Sequence, residues 1–137
     1  MTIAGVRHCQ IGPGVLIFVG VKTNDGRAGA AYLAERCANL RIFEDAEGKM
    51  NRSVLETKGS ALVVSQFTLY GDTRKGNRPG FTEAAAPDSA QSLYEEFLRE
   101  LQARIGEGNV ATGVFRAAME VQLVNDGPVT LMIESKD

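Results

Sequence analysis

A short apolar run, Val15 to Val21, constrains the fold more than any other feature of this sequence. The run is unbroken, rich in β-branched residues and too short for a buried helix, so it predicts a strand covered on both faces. The turn Ile11-Gly12-Pro13-Gly14 precedes it, and Asn24-Asp25-Gly26 follows it. Other elements of the chain must therefore pack on this strand.

Two amphipathic helices are predicted to supply that cover. After Gly26, apolar side chains recur at helical spacing at Ala30, Leu33, Ala34, Cys37 and Leu40. A second helix is predicted after Pro87, where Asp88 and Gln91 are spaced as at a helix start. Its stripe ends before Gly106 and consists of Leu93, Phe97, Leu101 and Ile105. We expect both helices to pack on the sheet.

Three further strands are predicted, at residues 61–70, 118–124 and 129–134, and a turn or short hairpin at 45–53. The order of elements is then β-α-β-α-β-β. This order predicts a mixed α/β fold in a single domain over residues 1–137, with a largely antiparallel or barrel-like sheet covered by the two helices.

Composition excludes several classes of function. The net charge of −2 argues against a protein that grips long nucleic acid, and the one compact basic cluster is Arg74, Lys75 and Arg78. Two cysteines without CxxC spacing and a single histidine support neither a disulfide framework nor a zinc site, so we expect no metal and no cofactor. The sequence shows no membrane span and no secretory signal, which predicts a cytoplasmic protein.

Candidate chemistry lies in two segments. Ser65-Gln66-Phe67-Thr68-Leu69 ends a predicted strand, where alternation would place Gln66 and Thr68 on one face. The only histidine is far away in sequence, so the sequence does not support a serine-histidine-acid triad. The second segment, Asn125-Asp126-Gly127-Pro128-Val129-Thr130, sets a proline between two predicted strands. A purely structural strand and a plain turn remain the alternative interpretations of the two segments.

Together these segments resemble the D-aminoacyl-tRNA deacylase family. The resemblance extends over nearly the whole chain in the expected order. Its supporting stretches are Ile11-Gly12-Pro13-Gly14, Leu40-Arg41-Ile42-Phe43-Glu44-Asp45, Gly48-Lys49-Met50-Asn51 and Lys75-Gly76-Asn77-Arg78-Pro79. The resemblance implies a hydrolase that cleaves the ester of D-aminoacyl-tRNA, and of glycyl-tRNA mischarged on tRNA-Ala.

The resemblance also implies how the site is built. A homodimer is expected, in which a cis Gly127-Pro128 peptide reaches across the interface and its carbonyl oxygens accept the substrate ammonium. An L side chain would collide there, which rejects the wrong stereoisomer. Ser65, Gln66 and Thr130 are further substrate-binding candidates. The 2′-hydroxyl of the tRNA would assist cleavage, with an oxyanion held by the Phe67 or Thr68 backbone N–H.

Some alternatives stay open. Thr68 as the nucleophile is the older mechanism, and Arg74, Lys75 and Arg78 are candidate tRNA contacts. The family normally has another strand before residues 2–10, so we expect an exposed sheet edge here. Arg116 stands at a position where the family usually has glycine. If the arginine side chain faced the pocket, it would alter the pocket. The competing functions are a non-catalytic tRNA-binding relative and a deacylase of relaxed chirality that acts on L-alanine.

Overall fold

The computed structural model describes residues 1–135 of the chain. Its helices are α1 (Arg27–Asn39), α2 (Val54–Thr57) and α3 (Pro87–Ile105), with short 3₁₀ turns at Phe67–Tyr70 and Glu107–Asn109. Its strands are β1 (Thr2–Ile3), β2 (Val6–Arg7), β3 (Gly14–Val19), β4 (Phe43–Glu44), β5 (Met50–Arg52), β6 (Ser60–Ser65) and β7 (Val110–Thr112). The mixed α/β, single-domain prediction is confirmed.

The main sheet has the order β3-β6-β7, and both of its strand pairs are parallel. The prediction of a largely antiparallel sheet is therefore wrong for this sheet, and antiparallel pairing is confined to the short pairs β1-β2 and β4-β5 and to isolated bridges. The physical reason lies in the connections. A helix-containing crossover follows β3 and another follows β6, and such crossovers return the chain in the same direction.

The central strand β6 is covered on both faces because its side chains alternate between two cores. Ala61 and Val63 pack with Phe97 and Leu101 of α3 and with residues of α1. Leu62 and Val64 point the other way and pack with the buried Met1. Both amphipathic helices are confirmed, and both contribute to the first of these cores.

Polar bonds add to this apolar packing at two places. The hydroxyl of Tyr94 in α3 donates to the carbonyl oxygen of Val63 at 3.0 Å, and burial raises the pKa of that hydroxyl to about 12. Glu96, 8% exposed, accepts from Arg99 of its own helix and from Arg27 at the start of α1. Hydrogen bonds to these two arginines, chiefly Arg99, lower the pKa of the Glu96 carboxyl. The two helices are thus fixed to each other and to β6.

Several short elements lie outside the two long helices and the strands β3 and β6, and the sequence predicted only some of them. The turn or hairpin predicted at 45–53 is confirmed as the β4-β5 pair. The short helix α2 was not predicted, although Ser53 and Glu56 form a capping box, each side chain accepting from the other's backbone N–H. Strand β7 was also missed, since three residues are too few for a periodic signal.

Two of the predicted strands are wrong and a third is too long. Residues 118–124 contain only an isolated bridge at Glu120, and 129–134 form no strand. Their side chains alternate as in a strand, but within residues 1–135 they have no ladder partner, and a strand exists only through pairing. The strand predicted over 61–70 ends at Ser65 and continues as a 3₁₀ turn.

Candidate active site

The parallel sheet brings the carboxyl ends of β3, β6 and β7 to one edge. In open parallel sheets, ligands bind outside this edge. The chain leaves β6 through Gln66, whose backbone N–H donates to the Val19 carbonyl oxygen at 2.8 Å. After β7, the Gly113 N–H donates to the Val63 carbonyl oxygen at 3.0 Å. The motif Ser65-Gln66-Phe67-Thr68-Leu69 therefore lies at the edge where a ligand site is expected.

The turn after β6 gives this motif a geometry that strand alternation did not predict. Gln66 has φ −140° and ψ 87°, and the chain then coils into the 3₁₀ turn. The Gln66 side-chain amide donates to the Thr68 hydroxyl at 2.5 Å. The prediction that Gln66 and Thr68 share one face of a strand is wrong, because the strand has already ended. The two side chains nevertheless meet, through the turn rather than through the pleat.

The turn also presents backbone donors. The first N–H groups of a helical turn have no acceptor within the turn. Among the hydrogen bonds of residues 1–135, none uses the backbone N–H of Phe67 or Thr68, and both residues are exposed. Adjacent N–H groups at a surface turn form an arrangement able to stabilise an oxyanion.

The hydroxyl groups of the motif have no basic partner. Ser65 is half-buried and Thr68 is exposed, and no carboxylate or imidazole in the described part of the chain hydrogen-bonds to either. His8, the only histidine, lies in the segment after β2 and is exposed. A hydroxyl nucleophile near neutral pH requires such a base. The local geometry therefore favours backbone chemistry over a side-chain nucleophile.

The second predicted segment forms a separate exposed loop. The Gly127-Pro128 peptide bond is cis, as the resemblance implied. The Asn125 side chain closes the loop, donating to the Thr130 hydroxyl at 3.1 Å and accepting from the Val129 N–H at 3.3 Å. No hydrogen bond or ring contact within residues 1–135 joins this loop to Gln66–Thr68.

The basic cluster occupies a loop that is closed at its base. Asp72 and Gly80 exchange two backbone hydrogen bonds, of 2.7 and 2.9 Å. The Arg74 guanidinium forms a two-pronged bond with the Asp72 carboxylate, at 2.9 and 2.8 Å, and thereby lowers the pKa of that carboxyl to about 2. Lys75 and Arg78 lie at the exposed tip of the loop. The three residues predicted to contact tRNA therefore differ: Arg74 is already paired with Asp72 inside the loop, whereas Lys75 and Arg78 are exposed at its tip.

Sequence reasoning missed Phe81, whose ring lies 5.1 Å from that of Phe67. Both rings are partly exposed, at 38% and 56%. An aromatic residue directly after the glycine that closes a basic loop was the available signal. The charge of the loop alone does not reveal it, because the ring comes one residue after the loop has closed.

The two cysteines lie in different parts of the fold, and the Cys9 thiol donates to the carbonyl oxygen of Thr112, the last residue of β7, at 3.5 Å. Cys9 and Cys37 are both free, and burial raises the pKa of the Cys37 thiol to about 11, far above the range of reactive thiols. In the described residues, no group of three or more His, Cys, Asp or Glu side chains is placed to hold a metal ion. None of the helices in that same part is long and apolar enough to cross a bilayer.

Comparison with solved structures and with sequence families identifies the arrangement. A solved structure described as c-Myc DNA Unwinding Element Binding Protein superposes with a TM-score of 0.94 and 35% identity, covering 99% of this chain and 91% of that one. The sequence model described as D-Tyr-tRNA(Tyr) deacylase matches residues 1–134. This chain belongs to the D-Tyr-tRNA(Tyr) deacylase family.

Bacterial members of this deacylase family are close in sequence. The D-aminoacyl-tRNA deacylase of Salinibacter ruber is 58% identical over 123 residues, which cover 90% of this chain and 81% of that protein. The protein of the same name from Thermomicrobium roseum is 56% identical over 137 residues, which cover 100% and 88%. The resemblance found in the sequence motifs is therefore confirmed at the level of the family.

The fold also shows where Arg116 lies. It occupies a turn closed by a 3.1 Å bond from the Ala117 N–H to the Val114 carbonyl oxygen, and its φ is +70°. A left-handed φ at this turn position favours glycine. This preference explains why glycine was the residue expected at position 116. Arg116 is exposed. Within a single chain its side chain therefore projects towards solvent.

Proposed function

We propose that this chain is a D-aminoacyl-tRNA deacylase that hydrolyses the ester between a D-amino acid and the terminal ribose of tRNA. Glycyl-tRNA mischarged on tRNA-Ala is the second proposed substrate, because glycine has no side chain to be rejected. The observation that carries the proposal is the pair of Phe67 and Thr68 N–H groups at the carboxyl edge of the sheet, which donate no hydrogen bond within residues 1–135 and belong to exposed residues. Membership of the deacylase family supports an ester as the ligand of that pair.

The chemical step follows from what the edge contains. Water adds to the ester carbonyl, and the negative charge that develops on its oxygen is held by the Phe67 or Thr68 N–H. The ester C–O bond then breaks, which releases the amino acid and the free ribose hydroxyl. With no base bonded to Thr68 in the described chain, we assign the assisting proton transfer to the neighbouring 2′-hydroxyl of the tRNA. The protein's task is then orientation and charge stabilisation.

We further propose that the site is completed by a second copy of the chain. The face of the sheet opposite α1 and α3 is incompletely covered, with Phe18 43% exposed. Apolar side chains on both sides of the Gly127-Pro128 loop are also exposed, namely Leu123, Val124, Leu131 and Met132. Several exposed apolar side chains close together in the sequence support a protein interface. In that homodimer the Gly127 and Pro128 carbonyl oxygens accept the substrate ammonium and leave no space for an L side chain.

Contacts to the tRNA are proposed for Lys75 and Arg78. Their exposure at the tip of the closed loop suits phosphate binding, whereas Arg74 already pairs with Asp72. With a net charge of −2, the whole chain has no general affinity for nucleic acid, so these contacts are local. The same charge gives no support to DNA binding, the property after which the 35% identical relative is named. We place the activity in the cytoplasm.

The deciding experiment compares hydrolysis of D-Tyr-tRNA and L-Tyr-tRNA by substoichiometric protein, with the mass measured on the same sample. We expect many turnovers of the D ester, little hydrolysis of the L ester and a mass of twice 14.7 kDa. Protection of the D ester without turnover would instead support a non-catalytic tRNA-binding relative. Hydrolysis of L-Ala-tRNA at a similar rate would indicate a deacylase of relaxed chirality.

A pair of glycine variants tests the role of the exposed loop. Gly127 has φ +144°, and a Cβ there would lie 3.3 Å from Val129, so Gly127→Ala displaces the carbonyl groups. We expect lower activity on the D ester or weaker rejection of the L ester. Gly48→Ala is the matched control, because it also places a side chain at a positive φ but lies in the β4-β5 hairpin. Equal effects of both variants would attribute the change to lost stability.

A further inference from the structure

Gly20 lies where strand β3 and the turn after β6 approach each other closely. It directly follows β3, and a Cβ at this position would lie 3.0 Å from Leu69 Cβ and 3.3 Å from the Gln66 carbonyl oxygen. Both distances are shorter than ordinary van der Waals contact. Gly20 is not one of the glycines with a positive φ, so its backbone conformation would accept an L side chain. A side chain at position 20 would therefore be opposed by the turn and not by the backbone angle.

The first contact involves the peptide group that carries the Phe67 N–H. This N–H and the Gln66 carbonyl group belong to one planar trans peptide unit, in which the N–H and C=O bonds point in opposite directions. Because the unit is rigid, a force on the Gln66 oxygen also turns the Phe67 N–H. The space at Gly20 therefore bears on the direction of one of the two proposed oxyanion donors.

The second contact lies on the other side of the donors. Leu69 Cβ lies beside Gly20, and the Leu69 N–H donates to the Gln66 carbonyl oxygen at 3.2 Å. Phe67 and Thr68 lie between these two residues of the turn. At the start of the turn, the Gln66 N–H donates to the carbonyl oxygen of the last residue of β3 at 2.8 Å. The end of β3 thus holds the turn on both sides of the Phe67 and Thr68 N–H groups.

We propose that Gly20 is a positioning residue for ester hydrolysis. Its lack of a side chain lets the turn lie against the end of β3, and this contact sets the direction of the Phe67 and Thr68 N–H groups. The inference rests on the proposed function, which assigns the developing oxyanion to these donors. An added Cβ would require the neighbouring atoms to move by a few tenths of an ångström. Because oxyanion donors act over a narrow range of distance and direction, such a shift weakens transition-state stabilisation.

Gly59 offers a matched control at the opposite edge of the sheet. It directly precedes β6, and a Cβ there would lie 3.1 Å from Val54 Cγ2 and 3.2 Å from the Pro13 carbonyl oxygen. Like Gly20, it is not one of the glycines with a positive φ. The two alanine substitutions therefore introduce similar crowding, one beside the proposed donors and one at the amino end of β6.

The first measurement is the steady-state hydrolysis of D-Tyr-tRNA by the wild type, Gly20→Ala and Gly59→Ala. We expect Gly20→Ala to lower kcat about tenfold and to leave KM within about twofold, because the interaction that weakens is made in the transition state. Gly59→Ala should keep both constants within about twofold of the wild type. Urea unfolding shows what fraction of each variant is folded in the assay. An unchanged kcat in Gly20→Ala, an equal loss in Gly59→Ala, or a raised KM with unchanged kcat overturns the proposal.

The second measurement needs no turnover. Residual dipolar couplings of the backbone N–H groups report the directions of these bonds in the folded protein. We expect Gly20→Ala to change the couplings of Phe67 and Thr68 while those of β6 stay the same, and Gly59→Ala to leave the couplings of both residues unchanged. Unchanged couplings in Gly20→Ala overturn the proposal whatever the rate. A wild type without turnover would contradict the deacylase, and the couplings would still decide whether Gly20 positions the turn.

Leu69 tests the same contact from the other side if Gly20→Ala does not fold. Leu69→Gly removes the Cβ that lies beside Gly20, whereas Leu69→Ala keeps it. Leu69 is 44% exposed, so neither substitution leaves a large buried cavity. We expect the loss of kcat to be at least about threefold greater in Leu69→Gly than in Leu69→Ala. Equal losses would show that the contact does not position the donors, and the proposal would be overturned.

Discussion

At the scale of single residues, Thr68 separates two mechanisms. Its hydroxyl accepts from Gln66 and has no basic partner within residues 1–135, so it is poorly placed to act as a nucleophile. We expect Thr68→Ala to keep kcat for D-Tyr-tRNA within about tenfold of the wild type, because general-base activation of such a group would contribute more. Thr68→Ser, which retains the hydroxyl, is the control. Complete loss in Thr68→Ala alone, with the fold and tRNA binding intact, would restore the covalent mechanism.

The backbone φ angle of Arg116 is expected to lower the free energy of unfolding. A non-glycine residue in the left-handed region costs about 1–2 kcal/mol, and Arg116 has φ +70°. We expect Arg116→Gly to raise the free energy of unfolding by about 1 kcal/mol, less than the full cost because glycine gains entropy in the unfolded chain. Urea unfolding measures this change. Arg116→Ala retains the unfavourable angle, so an equal gain in that variant would attribute the effect to the guanidinium instead.

At the scale of elements, the ion pair between Arg74 and Asp72 adds to the two backbone hydrogen bonds that close the loop from Asp72 to Gly80. The Arg74 side chain, with its bonds to the carboxylate, lowers the pKa of Asp72 from 3.8 to about 2. A lowered carboxyl pKa contributes stability above the unfolded value near 3.8, and this contribution is lost as the pH falls towards 2. The loop should therefore keep its form through the mildly acidic range.

Titration of the Asp72 carboxyl by NMR checks this ion pair. We expect Arg74→Ala to raise its pKa towards 3.8, because the guanidinium supplies the largest stabilisation of the carboxylate. Lys75→Ala is the matched control, since it removes a neighbouring charge that does not bond to Asp72, and it should leave the titration unchanged. A similar shift in both variants would indicate the general charge of the loop as the cause.

The elements also differ in how far the sequence predicted them. Both long helices were predicted because their apolar stripes repeat over several turns, and the stripe itself is the face that packs. Strand β3 was also predicted as a strand, but the prediction that it is buried is wrong, because β3 lies at the edge of the sheet and none of its residues is fully buried. The segment 118–124 was predicted as a strand and is not one. Alternating apolar and polar side chains indicate that one face can be buried, but they do not show that a partner strand is present to pair with.

At the scale of the whole molecule, the exposed apolar side chains around residues 123–132 bear on assembly. Met132 is 78% exposed, and a charge in its place would oppose burial against a second copy. We expect Met132→Asp to convert a dimer of twice 14.7 kDa into a single chain and to abolish deacylation, as measured by analytical ultracentrifugation and turnover. Leu55→Asp, at an exposed site on α2, is the control and should remain dimeric. An active Met132→Asp monomer would contradict the shared site.

The sequence by itself determined the two long helices, the strands β3 and β6, the family and the two motifs, because these depend on local periodicity and on residue identity. Only the tertiary structure decided the parallel order β3-β6-β7, since strand direction depends on how each crossover packs. It also decided that Ser65 ends its strand and that Phe81 lies against Phe67. These contacts join residues far apart in the chain, and no local pattern encodes which distant segments meet.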